Sequence, residues 1–410
     1  HIMRGIARQA YFQKSKIMGS KATAYDIAEP FDTCNWCNNM YGVDASKEGA
    51  QEYYNSIFKL YAEWGVDFIK ADDTMYPPYH KGEIEMMRKA IEKCGRPMVL
   101  SLSCGEAPLG RAGHIKKNAT MWRVSADFWD NWEDLYHNFD LLNAWSSHIG
   151  EDSWPDADMI PFGKLALQNR PVGKERMSRF TSEEYNTLMT LFCMARSPLM
   201  IGADLLSTPK EIIDKYFKND EILAIDQHST DNRQVFKNKS YAIWTATVPE
   251  TGERYIALFN LQDKPATVTF NMELEFLRGK YQARDLWKKQ NIGIVEGKLS
   301  AQLGAHCIQT HKSKIIQKVI SMKKINILLI GIFITFHTLY AQTPLWQGKG
   351  RIAISSDGNE HDDDDWAATP LSLAMIAAKG LQDKLVLYTY SDHIWGSNQE
   401  RPNKHGISAY

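Results

Sequence analysis

The chain has 410 residues, too many for one compact core, so two or more domains are expected. Hydrophobic residues make up 44% and charged residues 24%, the balance of ordinary globular protein. A formal net charge of −1 excludes a nucleic-acid footprint at the level of the whole chain.

In chain order, residues 1–222 alternate short apolar runs with amphipathic stretches. Strands are expected at 66–70, 98–102, 122–125, around 154–159 and at 199–201. Helices are expected between them at 50–64, 84–93 and 183–195. This is the βα repeat of a parallel sheet. Polar residues cluster at the C-terminal ends of successive strands: Asp72, Cys104 to Glu106, Asp127, and Asp156 with Asp158. A (β/α)8 barrel gathers its active site on that face, whereas a doubly wound sheet gathers it at one switch point. Polar ends on four strands favour the barrel. From 223 to 310 the pattern becomes short strands and turns, the mark of an antiparallel β-sandwich.

Residues 311–321 read as a basic spacer. Met322-Lys323-Lys324, the apolar run 325–340 and Ala341-Gln342 have the plan of a secretory signal peptide, so 322–342 is expected to be one. Its position predicts that two neighbouring reading frames are joined here. A membrane contact is expected only if 325–340 is kept as an anchor. Residues 343–410 read as an α/β fragment. Its cluster Asp357-Gly358-Asn359-Glu360-His361-Asp362-Asp363-Asp364-Asp365 loosely resembles the calcium-binding opening of nucleoside-hydrolase-like proteins, and a solvated acidic loop fits it equally.

Two carboxylates at strand ends suit glycoside hydrolysis. Retention needs a nucleophile and an acid/base about 5–5.5 Å apart. Asp72 and Asp127 end strands two apart in order. Lys70 shares a strand face with Asp72, where a cation favours the ionised nucleophile. Arg123, four residues before Asp127, suits a sugar hydroxyl or carboxylate. The aromatic supply of 12 Trp, 18 Tyr and 16 Phe suits sugar stacking or a large core. Trp36 is the leading candidate platform, and Trp122, Trp129 and Trp132 are expected in the core. Asp130 is expected to cap or pair locally, Asp156 is open to reading as an ordinary N-cap, and His114 and His148 are expected to be structural or surface residues. The six cysteines show no disulfide framework, and Cys34-Asn35-Trp36-Cys37 lacks the second ligand pair that zinc needs. No metal or organic cofactor is expected.

Trp64-Gly65-Val66-Asp67-Phe68-Ile69-Lys70-Ala71-Asp72 resembles the nucleophile strand of glycoside hydrolase family 27, the melibiase or α-galactosidase family. Trp122-Arg123-Val124-Ser125-Ala126-Asp127-Phe128-Trp129-Asp130-Asn131-Trp132 resembles its acid/base strand. Trp154-Pro155-Asp156-Ala157-Asp158-Met159 is similar to its W-x-D-x-D-M segment, and Ser101-Leu102-Ser103-Cys104-Gly105-Glu106 stands where the family has its specificity loop. Arg196-Ser197-Pro198-Leu199 and the trailing β-domain are also similar. The resemblance implies Asp72 as nucleophile and Asp127 as acid/base. It implies Lys70, Arg123 and Asp158 as sugar ligands, with Trp36, Cys104 and Glu106 lining the site. It implies a secreted or periplasmic α-galactosidase acting on oligosaccharides or polysaccharides with terminal α-galactose. β-L-arabinopyranosidase, α-N-acetylgalactosaminidase, isomaltodextranase or a non-catalytic relic are the alternatives. Ala7 and Thr74 depart from the family's usual Pro and Cys. Aligned to the family, His1–Arg4 corresponds to the third barrel strand. The barrel is therefore expected to lack two strands, and the chain as written to have low or no activity.

Overall fold

The computed structural model describes residues 1–166, 174–315, 352–356 and 385–390. The chain forms two compact units, His1–Gln317 and Lys318–Tyr410.

In the first unit, five strands form one parallel sheet in sequential order: β1 (Ile2–Met3), β2 (Phe68–Asp72), β3 (Val99–Leu102), β4 (Met121–Arg123) and β5 (Trp154–Asp156). The chain turns through Ala157-Asp158 into β6 (Met159–Ile160), which pairs in parallel with β7 (Met200–Ile201). The expected strand at 154–159 is thus two strands, broken where Asp158 takes φ +78. The expected strand at 66–70 begins later, at Phe68. The Val66 N–H is still bonded to the Tyr61 carbonyl at the end of the preceding helix.

The crossover helices follow from their apolar spacing. In Ala50–Glu63, Ala50, Tyr54 and Phe58 recur every four residues and form its buried stripe. Lys81–Cys94 buries Ile84, Met87 and Ile91 and ends at Gly95, whose φ of +81 suits a residue without Cβ. Trp132–Trp145 starts at Asn131, whose side chain accepts the Asp134 N–H at 2.9 Å. Ser182–Met194 begins with a Thr181–Glu184 capping box and is buried over most of its length.

After the helix Asp220–His228 come eight antiparallel strands: β8 (Thr230–Lys237), β9 (Tyr241–Thr247), β10 (Arg254–Asn260), β11 (Ala266–Asn271), β12 (Lys280–Asp285), β13 (Gln290–Glu296), β14 (Lys298–Leu303) and β15 (Ile308–Ile315). Their order is β8-β9-β10-β15-β12-β13-β14-β11. Alternation along these strands sorts side chains to two faces. Ile243, Ile256, Leu258, Val268, Phe270 and Leu299 fill the inner core of this domain. Ala242, Trp244, Ala246, Tyr255, Ala257 and Phe259 face the other way and join the core of the α/β part. Phe139 meets Phe259 edge to face at 5.0 Å. A fully buried Phe of this kind contributes on the order of 2–3 kcal/mol.

In the second unit the described residues are two parallel strands, β16 (Ile352–Ser356) and β17 (Leu385–Tyr390). Residues 311–315, expected to open a basic spacer, instead complete β15, paired on both sides. The rest of the spacer, the signal-peptide-like segment 322–342 and the acidic cluster 357–365 lie outside the described residues. Among the described residues, no helix is long and apolar enough to cross a membrane.

Candidate active site

The parallel strands carry their C-terminal residues to one rim. Asp72 is the last residue of β2. Its Oδ2 lies 3.3 Å from the indole N–H of Trp36 and 3.7 Å from His1 Nε2. Beyond β3, the Cys104 thiol feels the charges of both Asp72 and Asp127. Burial first, then those two carboxylates, pushes it up to about 12. It is therefore a neutral donor rather than a thiolate.

Asp127 lies on the loop after β4, with its side chain 75% exposed. Arg123, buried at the end of β4, reaches it: Nη2 is 3.2 Å from Asp127 Oδ1 and 3.2 Å from the Ser125 carbonyl. Its Nη1 lies 3.0 Å from Asp158 Oδ1. Asp158 Oδ2 in turn accepts the Phe128 N–H at 2.9 Å. One guanidinium and one carboxylate therefore tie the Asp127 loop to the β5–β6 turn. That turn is supported from below, where the Ala157 N–H donates to Ser197 Oγ at 2.9 Å. Neighbouring Arg196 sits 5.1 Å over the Trp154 ring.

Lys70 lies on the Asp72 face of β2, but it forms no ion pair among the described residues; the group that feels its charge is Asp156. Asp156 is not an N-cap. It ends β5 wholly buried, and its Oδ1 accepts the Asp158 N–H at 2.9 Å. Burial above all, then Asp158, pushes its carboxyl up to about 7 against the pull of Arg123 and Lys70. Glu106 turns to His137, 3.0 Å away, and no described contact joins it to Asp72 or Asp127. His114 is held by Tyr79 Oη at 2.7 Å and Glu85 Oε1 at 3.2 Å. Asp130 pairs far along the chain, with Arg176 and Arg179, rather than locally.

Sequence reasoning missed two residues here, one beside Trp36 and one beside Asp72. Tyr76 meets Trp36 edge to face at 5.5 Å and lies against Gly105. His1 falls on the Asp72 side of the sheet because Ile2 pairs with Ala71; the period-two rule applied across β1 and β2 finds it. One group has metal-ligand spacing among the described residues: Asp32, His80 and Glu83. Arg4 already supplies its positive charge, with Nη1 2.9 Å from Asp32 Oδ2 and 3.1 Å from Glu83 Oε1.

A parallel β/α sheet with carboxylates on its C-terminal rim, packed on a β-sandwich, is the arrangement of glycoside hydrolases with a TIM-barrel catalytic domain. The family model described as alpha galactosidase A matches residues 41–228, and that of the alpha galactosidase C-terminal β-sandwich domain matches 238–311. A family 27 β-L-arabinopyranosidase from Geobacillus stearothermophilus is 42% identical, with a TM-score of 0.75, over 78% of this chain and 74% of that one. Alpha-galactosidase 2 of Arabidopsis thaliana is 28% identical over 62% of this chain and 61% of its own length. An alpha-galactosidase of Oryza sativa subsp. japonica is 26% identical over 63% and 59%. The chain belongs to glycoside hydrolase family 27. It spans about three-fifths of the length of the curated relatives it matches.

Proposed function

We propose that residues 1–222 are the catalytic β/α domain and 223–315 the β-sandwich of a retaining exo-glycosidase that releases terminal α-linked galactose from oligosaccharides. The observation that carries the reading is the Arg123 guanidinium, which joins Asp127 at 3.2 Å to Asp158 at 3.0 Å on the same strand-end rim that carries Asp72. In the first step Asp72 attacks the anomeric carbon while Asp127 protonates the departing glycosidic oxygen. In the second, Asp127 takes a proton from water, which displaces Asp72 and restores the starting configuration. Arg123 and Asp158 hold the acid/base loop and offer a cation and an anion to sugar hydroxyls. Trp36 and Tyr76 offer ring faces and edges. Secretion or export to the periplasm is part of the same reading, and cell fractionation tests it.

The similarity to an arabinopyranosidase supports a second substrate. β-L-arabinopyranose has the ring configuration of α-D-galactose without its C6 hydroxymethyl group. The test is an assay of the product of the complete gene on the aryl glycosides of both sugars, with proton NMR of the first-formed anomer. Faster cleavage of the galactoside with retained configuration supports the first reading. Faster cleavage of the arabinoside supports the second. Inversion, or full activity in Asp72→Ala, overturns both.

A further inference from the structure

We propose that Asp130 is a positioning residue that aims the Asp127 carboxyl through a latch with Arg176 and Arg179. The inference rests on the reading of Asp127 as acid/base. Asp127 has an exposed side chain with a single described ion-pair partner, so its own contacts do little to fix it. A proton-transfer group must be held within a fraction of an ångström of its partner oxygen. The restraint therefore has to come from the backbone on either side.

Three residues on, the side chain of Asp130 is 0% exposed and accepts hydrogen bonds from two arginines. Arg179 donates its N–H at 2.9 Å, its Nε–H at 3.2 Å and an Nη2–H at 3.1 Å. Arg176 adds its Nε–H at 3.1 Å and an Nη2–H. The intervening residues are fixed as well. Phe128 is buried against Phe180 and Phe192, and the Arg176 guanidinium stands 5.9 Å over the Trp129 ring. The latch is anchored away from Asp127, because Arg176–Met177 pairs with Lys164–Leu165. It is also separate from the Arg123–Asp158 tie on the other side of the loop. With both ties made, the loop has one position. With the latch gone, the segment from Trp129 to Asn131 keeps, among the described residues, only local carboxylate bonds, from the Trp129 N–H at 3.4 Å and Asn131 Nδ2 at 2.6 Å to Asp134 at the start of the next helix. It loses its long-range tie to Arg176 and Arg179, and Asp127 moves with it.

The test is Asp130→Asn in the product of the complete gene, with Asp127→Ala as control. A general acid matters little when the leaving group is dinitrophenolate and much when it is an alkoxide. For Asp130→Asn, kcat/KM is expected to fall on the order of tenfold to a hundredfold on a methyl or disaccharide substrate and by less than about threefold on the dinitrophenyl glycoside. Arg179→Gln, which leaves Arg176 on the latch, should show the same pattern more weakly and decides the matter if the Asp130 variant does not fold. Equal losses on both substrates, or a lowered Tm with an unchanged leaving-group dependence, overturn the proposal. If Asp127→Ala itself lacks the leaving-group pattern and azide rescue, the reading of Asp127 fails instead, and the two failures are told apart.

Discussion

Trp36 donates its indole N–H to Asp72 Oδ2 across 3.3 Å, from a loop that also sets its ring edge to face with Tyr76. The pair joins a sugar-sized aromatic surface to the carboxylate expected to attack. Trp36→Phe keeps a ring and removes the donor. A hydrogen bond to a charged group contributes about 1.5–3 kcal/mol, and partial exposure puts this one at the low end, so kcat/KM should fall about tenfold. Trp36→Ala should raise KM further by removing the ring. Steady-state kinetics on an aryl glycoside check both. An unchanged kcat/KM in the Phe variant removes Trp36 from the site.

Arg123 is the hinge of the Asp127 side. It is buried, and its two terminal nitrogens serve different carboxylates, Asp158 at 3.0 Å and Asp127 at 3.2 Å. A lysine offers one point charge and cannot serve both. In Arg123→Lys, activity should fall by on the order of a hundredfold or more. Arg123→Met also leaves Asp158 buried without a cation, which costs about 3–5 kcal/mol. Thermal denaturation should therefore rank the two variants, with Met lower. Equal Tm values would mean that Asp158 finds another partner.

What the sequence made legible was local. Strand ends, the two-residue period and the W-x-D-x-D-M run brought out Asp72, Asp127, Arg123 and Asp158, because β-strands place such residues on one rim without help from distant segments. The partners of Asp130 lie 46 and 49 residues away, and those of Arg4 lie 28 to 79 away. No periodicity encodes which loop returns to meet them. Glu106 illustrates the same limit. Its place in the loop after β3 suggested a sugar ligand, yet the tertiary fold turns it to His137. An N-cap role for Asp156 rested on residue type alone. Burial of β5 made it instead an inward carboxyl beside Asp158.

The β-sandwich grips the helix that follows the Asp127 loop. Trp132, the first residue of that helix, stacks on His306 with ring centroids 3.6 Å apart and planes 7° from parallel. His306 is held in turn by Glu184 at 2.8 Å and Asp263 at 2.9 Å. His306→Ala and Trp132→Ala should each lower stability by on the order of 1–3 kcal/mol. Their double variant should be milder than the sum by about 0.5–1.5 kcal/mol, the coupling of a stacked pair. A denaturant-melt cycle measures it, and strict additivity would mean that the rings do not interact in solution.

His311 gives the fold a weakness to acid. It lies on β15, wholly buried, and neither ring nitrogen has a hydrogen-bond partner among the described residues. Burial pushes it down to about 4 from the usual 6.5; nearby Asp285 opposes this and Lys288 adds to it. Between those two values the unfolded chain binds the proton and the folded chain does not. Stability therefore rises with pH across that window. It is fully present above about 6.5 and is lost as pH falls toward 4, by at most about 3 kcal/mol. Asp and Glu titrations overlap the lower end, so the informative quantity is a difference between proteins. His311→Gln keeps a polar side chain that cannot charge. Measured against the parent by urea unfolding at pH 7.5 and at pH 4.5, the variant should gain relative stability at the lower pH by roughly 2–3 kcal/mol. Parallel pH curves would mean that His311 is solvated or protonated in the folded protein, and that the acid lability has another source.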